Sequence, residues 1–155
     1  MTAAPLTEPT AAELAEVAEL FDEYRRHYGE QAAPGPALEW LRDNTGHRRL
    51  TVFTAQAGRG LIGFATTVAL PASLRLSCHW QLRDLFVVPG ARRRGAARAL
   101  LDAVRHAATA AGAVRLSVQT EPGNAAALQL YRTSGFVPVE DLQVLSLPIQ
   151  HGAAG

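Results

Sequence analysis

Between Leu85 and Ala97 this 155-residue chain places the residue types that can grip a phosphorylated ligand. Leu85, Phe86, Val87 and Val88 form an apolar run suited to a buried strand, and Pro89-Gly90 breaks it. Arg92, Arg93 and Arg94 then precede Gly95, Ala96 and Ala97 at the head of an alanine-rich helix. A helix start presents unpaired N–H groups and partial positive charge, small residues let that backbone approach closely, and guanidinium groups add formal charge for phosphate oxygens. Gly90 and Gly95 stand at the GxxxxG spacing of a nucleotide P-loop, but Ala96 and Ala97 follow where Lys and then Ser or Thr are needed, and GxGxxG is absent as well. The plain alternative is a solvated basic turn before an ordinary amphipathic helix.

Arg92-x-x-Gly95-x-Ala97 after a strand and a Pro-Gly turn, followed by Asn124-x-x-Ala127-x-x-Leu130-Tyr131-x-x-x-Gly135-Phe136, resembles the GNAT superfamily of acyl-CoA-dependent N-acyltransferases. The likeness covers about Arg49 to Val139 well and the first forty residues only loosely. It implies acetyl-CoA as co-substrate and direct attack of an amine on its thioester. Two parallel strands would splay apart, leaving backbone groups of Leu85, Phe86 and Val87 for the pantetheine arm and the thioester carbonyl. Arg92, Arg93, Arg94, Gly95, Ala96 and Ala97 would hold the diphosphate, and Asn124 would hold the arm, cap a helix, or both. The resemblance puts the general acid at Tyr131, which read alone is as well explained as a packed core tyrosine.

The general base is where the chain departs from that pattern. Members that acetylate lysine or polyamines often carry acidic residues two and four positions before Leu85, where this chain has Arg83 and Gln81. Asp84 is the nearby carboxylate, and strand alternation turns it to the opposite face unless a bulge reorients it. Arg83 beside the amine pocket would repel polyamines and could pair with a carboxylate or phosphate, which points to an anionic or amino-acid-like amine. An α-amine of pKa about 8 also needs less help to deprotonate than a lysine at about 10.4. Tyr24 and Tyr28 fall near the family's substrate wall. His27 and His79 are reserve candidates, each also explained as a packing or surface histidine.

These groups need a scaffold, and the hydrophobic spacing supplies one. Residues 1–9 read as a flexible lead or a short edge strand, and Thr10 with Glu13 makes a capping-box start for a helix that ends at Gly29. Leu38 to Asn44 supports a second, short helix. Leu50–Ala55, Leu61–Leu70 and Leu76–Val88 read as strands, the first two joined by a glycine-rich turn. Ala96–Ala111 is an amphipathic helix stopped by Gly112, and Val114–Val118 is a strand that a right-handed crossover makes parallel to the one before it. Asn124 caps a helix to about Ser134, Gly135 ends it, and Phe136–Glu140 with Leu142–Leu147 read as the last strands. The expected whole is one mixed α/β domain over 1–155: six to seven strands with about four helices on both faces, and a mobile tail at 151–155.

Composition narrows the function classes. A formal charge of +1 lacks the broad basic excess that nucleic-acid binding requires, although every one of the fifteen basic residues is arginine. No apolar run approaches the ~20 residues of a membrane span, and the N-terminus lacks a signal-peptide pattern, so a cytoplasmic setting is expected. One cysteine, Cys78, excludes an internal disulfide or a cysteine-rich metal site, and no metal is expected. The sequence reading is thus acetyl transfer from acetyl-CoA to the primary amine of a small molecule. Transfer to a peptide, use of another acyl donor, and a non-catalytic acyl-CoA-binding module stay open, and a homodimer through the terminal strands is neither required nor excluded.

Overall fold

Thr10 and Glu13 cap each other's backbone at the first helix: Glu13 N donates to Thr10 Oγ1 at 3.2 Å, and Thr10 N donates to Glu13 Oε2 at 2.8 Å. A cap of this kind stabilises a helix by about 1 kcal/mol. The computed structural model describes residues 1–149. Its elements are β1 (Thr2–Pro5), α1 (Ala11–His27), α2 (Pro34–Gly46), β2 (Thr51–Ala57), β3 (Gly60–Ala72), β4 (Ser77–Val87), α3 (Ala96–Ala110), β5 (Leu116–Val118) and α4 (Ala125–Thr133). The sheet runs in the order β1-β2-β3-β4-β5, antiparallel except for the parallel pair β4–β5.

Helices cover both faces. Leu14, Val17, Phe21 and Leu41 of α1 and α2 pack on Val52, Phe64 and Phe86, whereas Leu100, Leu101 and Val104 of α3 and Tyr131 of α4 pack on Phe53, Ala65, Leu82 and Val87. Full burial of one such aliphatic side chain contributes roughly 1.5–3 kcal/mol. The buried Asp22 ties α1 to α2: its Oδ1 accepts from Arg25 Nη1 and from the Ala33 backbone N, both at 2.9 Å. That carboxylate takes the N–H of the N-cap residue Ala33, whose own side chain offers no cap.

Three expectations change. The sheet has five strands rather than six to seven among the described residues, because Phe136–Glu140 and Leu142–Leu147 form no strand. Phe136 packs against Tyr131, but Val137, Val139, Leu142, Val144 and Leu147 are exposed. Alternating apolar residues make a strand only where a neighbouring edge accepts their hydrogen bonds, and β5 is just three residues long. The start of the chain is the edge strand β1, not a loose lead, since Thr2–Pro5 pairs with Phe53–Gln56. The second helix is longer than expected because Pro34 and Pro36 sit in its first turn, where their missing N–H groups cost nothing. The expected tail at 151–155 lies outside the described residues, and no described helix is long and apolar enough to cross a membrane.

Candidate active site

The sheet opens where β4 and β5 part. The two strands pair at Trp80–Leu116, Gln81–Ser117 and Leu82–Val118, and beyond Leu82 no pairing continues, so Leu85–Val87 on one side and Gln119–Glu121 on the other become walls of a cavity of about 690 Å³. The N-terminus of α3, residues of α4 and the C-terminal turn of α1 line it as well.

At the α3 end Gly95 takes the left-handed conformation, φ +87°, and so does Arg93, φ +59°. Gly95 is the N-cap and offers no side chain to the first turn. The first backbone bond of the helix is Ala99 N to Gly95 O at 2.9 Å, which leaves the N–H groups of Ala96, Ala97 and Arg98 without partners among the described residues. All three residues line the cavity. Unpaired amides converging at a helix start, with guanidinium groups around them, are the donor set a diphosphate needs. These residues therefore fit the diphosphate end of acetyl-CoA. Arg92 Nε donates to Val87 O at 2.9 Å, so of the backbone groups expected for the pantetheine arm, that carbonyl is already taken.

Of the site residues expected from sequence for the cofactor, Leu85, Phe86, Val87, Arg92, Arg93, Gly95, Ala96, Ala97 and Asn124 line the cavity. Arg83, Tyr24, Tyr28 and Tyr131 line its remaining wall, together with the reserve candidate His27. Gln81, Asp84 and Arg94 lie outside the lining. Asn124 does cap α4, its Oδ1 accepting from Ala127 N at 3.1 Å. Sequence reasoning missed Gln119, Thr120, Glu121 and Arg98. The first three carry no motif, and their position follows from the divergence of two parallel strands. Arg98 reaches across to α4, donating to Thr133 Oγ1 at 2.9 Å.

Tyr131 is buried against Phe136, with ring centroids 5.5 Å apart. Its hydroxyl has no hydrogen-bond partner among the described residues, yet no buried polar side-chain atom is left unpaired, so the hydroxyl opens to the cavity. Burial pushes this phenol above its ordinary pKa, with a smaller contribution from Tyr28, and it stays protonated at neutral pH.

A bulge decides the opposite end. Asp84 faces Thr66 and Leu82 faces Thr67, so Arg83 has no partner on β3. The extra residue inverts the alternation: Leu82 packs on the α3 side, Phe86 on the α1 side, although simple parity puts both on one face. Asp84 is thereby turned to α1, where its Oδ1 accepts from Tyr24 Oη at 2.9 Å and its Oδ2 accepts from the Thr66 hydroxyl. Arg83 is exposed at the cavity, with no ion-pair partner among the described residues and only a long 3.5 Å contact to Gln81. The lining holds four arginines, Arg83, Arg92, Arg93 and Arg98, against one carboxylate, Glu121.

A model of the acetyltransferase (GNAT) family matches residues 14–136. The chain is 32% identical over 125 residues to YhfO of Bacillus subtilis (strain 168), named an uncharacterized N-acetyltransferase, with 81% of this chain and 84% of that one covered. Among solved structures, a probable acetyltransferase matches with a TM-score of 0.89 at 29% identity, covering 97% of this chain and 99% of that one. A ribosomal-protein-alanine N-acetyltransferase from Brucella melitensis biovar Abortus 2308 shares the fold, with a TM-score of 0.78 at 18% identity over 96% of this chain and 100% of that one. The splayed sheet and these matches agree: the chain belongs to the GNAT acetyltransferase family, whose members use acetyl-CoA as co-substrate, and it is an acyltransferase.

Proposed function

We propose that this enzyme moves the acetyl group of acetyl-CoA to the primary amine of a small anionic or amino-acid-like molecule, with Tyr131 as general acid. The observation that carries the reading is the charge of the cavity: its lining includes Arg92, Arg93 and Arg98 from the turn before α3 and its first residues, and a fourth arginine, Arg83, from the bulge of β4. One cluster suits the diphosphate. The separate arginine suits an anionic group on the acceptor and disfavours a polycation.

Acetyl-CoA, when bound, supplies an acetyl group activated as a thioester. The free amides of Ala96, Ala97 and Arg98 and the guanidinium groups of Arg92 and Arg93 hold its diphosphate, and the part of the Leu85–Val87 edge that Arg92 leaves free orients the arm. Tyr131 Oη, protonated and open to the cavity, holds the proton that a departing thiolate needs. A phenol of pKa about 10 protonates a thiolate whose acid has pKa about 8.5 only with help from position, so this proton transfer contributes part of the rate rather than all of it.

The test is incubation with acetyl-CoA and a panel of acidic, neutral and polycationic amines, following release of free thiol. Turnover confined to acidic and neutral amino-acid-like amines is the expected result. Turnover with polyamines alone overturns the acceptor class, and binding of acetyl-CoA without turnover of any amine makes the chain an acyl-CoA-binding module instead.

A further inference from the structure

The Tyr24 phenol links the cavity to a carboxylate that does not line it. Tyr24 lines the cavity from α1, and its Oη donates to Asp84 Oδ1 at 2.9 Å across a sequence separation of 60. Thr66, fully buried and opposite Asp84 on β3, donates its hydroxyl to the second carboxylate oxygen. Asp84 is thus held from both sides with its two oxygens acting as acceptors. Tyr24 Oη makes no other hydrogen bond among the described residues, so its oxygen remains free to accept one.

We propose that Tyr24 is a proton relay of the acceptor site, taking a proton from the ammonium group of the bound acceptor onto its oxygen while its own proton passes to Asp84. The proposal rests on the acceptor reading above. The balance is simple: an N–H bond of the ammonium breaks and an O–H bond forms at Tyr24, while the former Tyr24 O–H bond breaks and one forms at Asp84 Oδ1. The amine is left with its lone pair free to attack, the phenol is neutral before and after, and Asp84 ends as the neutral acid. Asp84 acts only through Tyr24, and Thr66 positions Asp84.

The surroundings suit a relay rather than an ionising tyrosine. Burial, and next the Asp84 carboxylate, push the Tyr24 phenol far above its ordinary pKa, so it does not persist as a tyrosinate. Passing a proton through the oxygen requires no such state. The other titratable groups facing this corner are His27 and Tyr28 from α1, Arg83 from β4, Tyr131 from α4 and Arg92, whose guanidinium lies over the neighbouring Phe86 ring. None of them hydrogen-bonds Tyr24 Oη or Asp84 among the described residues.

Two measurements decide the point. Tyrosinate absorbance, followed on the free protein, reads the bond itself: Asp84→Asn is expected to bring one of the three tyrosines into ionisation at lower pH than in the wild type. Superimposable titrations would overturn the bond and the relay with it. Kinetics read the proton. Wild-type kcat/KM for the acceptor should fall by clearly less than about tenfold for each pH unit below the pKa of the amine. Tyr24→Phe and Asp84→Asn should lose about tenfold for each pH unit below that pKa, because only free amine then reacts, and should approach the wild type above it. Phenylalanine keeps the ring that packs on Phe21, Phe64 and Phe86, so the fold should hold, and unchanged calorimetric affinity for coenzyme A checks this. A Tyr24→Phe profile parallel to the wild type overturns the relay and leaves acetyl transfer standing, whereas a wild type that turns over no amine removes the acceptor reading and the relay together.

Discussion

Arg92 Nε donates to the carbonyl oxygen of Val87 at 2.9 Å while its guanidinium lies 5.8 Å from the centre of the Phe86 ring. The arginine that opens the turn before α3 thereby also fixes the free end of β4. Loop and strand edge are parts of one construction, because the same side chain belongs to the loop and holds the strand end. Hydrogen bonds from charged donors contribute about 1.5–3 kcal/mol. Arg92→Ala should therefore weaken coenzyme A binding by about tenfold or more, measured by calorimetry. Because the lost contact includes a formal charge, the affinity gap between wild type and variant should narrow as salt is raised.

Gly63 faces Val87 across the β3–β4 pair, and a Cβ there would meet the Phe86 carbonyl oxygen at 2.5 Å. That neighbour is backbone and cannot rotate away. Gly63→Ala should push β4 outward at the cavity wall and destabilise the protein by about 1–3 kcal/mol. The check is a thermal melt with Tm lower by several degrees, together with weaker coenzyme A binding from the displaced strand.

Removing the Tyr131 hydroxyl tests the general acid without disturbing the fold, since the ring keeps its contact with Phe136. Tyr131→Phe should lower kcat by about 10²-fold, within the usual range for positioned proton donors, and leave the KM for acetyl-CoA nearly unchanged. The sign of the pH effect follows from burial, which raises this phenol. Its acid form persists above the ordinary tyrosine pKa of about 10, so wild-type kcat should show no alkaline loss from this group below that pH.

Arg83→Glu inverts the charge at the bulge while leaving the α3 arginines in place. If the exposed guanidinium selects the acceptor, the ratio of kcat/KM for acidic over polycationic amines should fall by 10²-fold or more, with coenzyme A affinity held within a factor of about three. An unaltered preference across the same panel would separate Arg83 from acceptor choice.

Much of the candidate site was legible in the sequence. Pro89-Gly90, the arginine triplet and Gly95 place a helix start after a strand through local chemistry alone, and the structure has that turn, with Gly95 at the left-handed φ only glycine adopts freely. The Thr10–Glu13 cap, the Asn124 cap and the stripe of α3 were equally readable, because each depends on residues within a turn or two of one another. Gln119–Glu121 were not, because they enter the cavity only through the way two distant strands part.

The sequence by itself determined the helices, strands β2 to β4 in outline, and the glycine and arginine turn before α3, since near-neighbour hydrogen bonds, caps and apolar periodicity need no knowledge of distant chain. The tertiary structure alone decided two matters. One is the face of Asp84, since a single unpaired residue at Arg83 shifts the period of β4 and brings the carboxylate to Tyr24 and Thr66. The other is the extent of the sheet, since Phe136–Leu147 has strand-like alternation but pairs with no strand among the described residues.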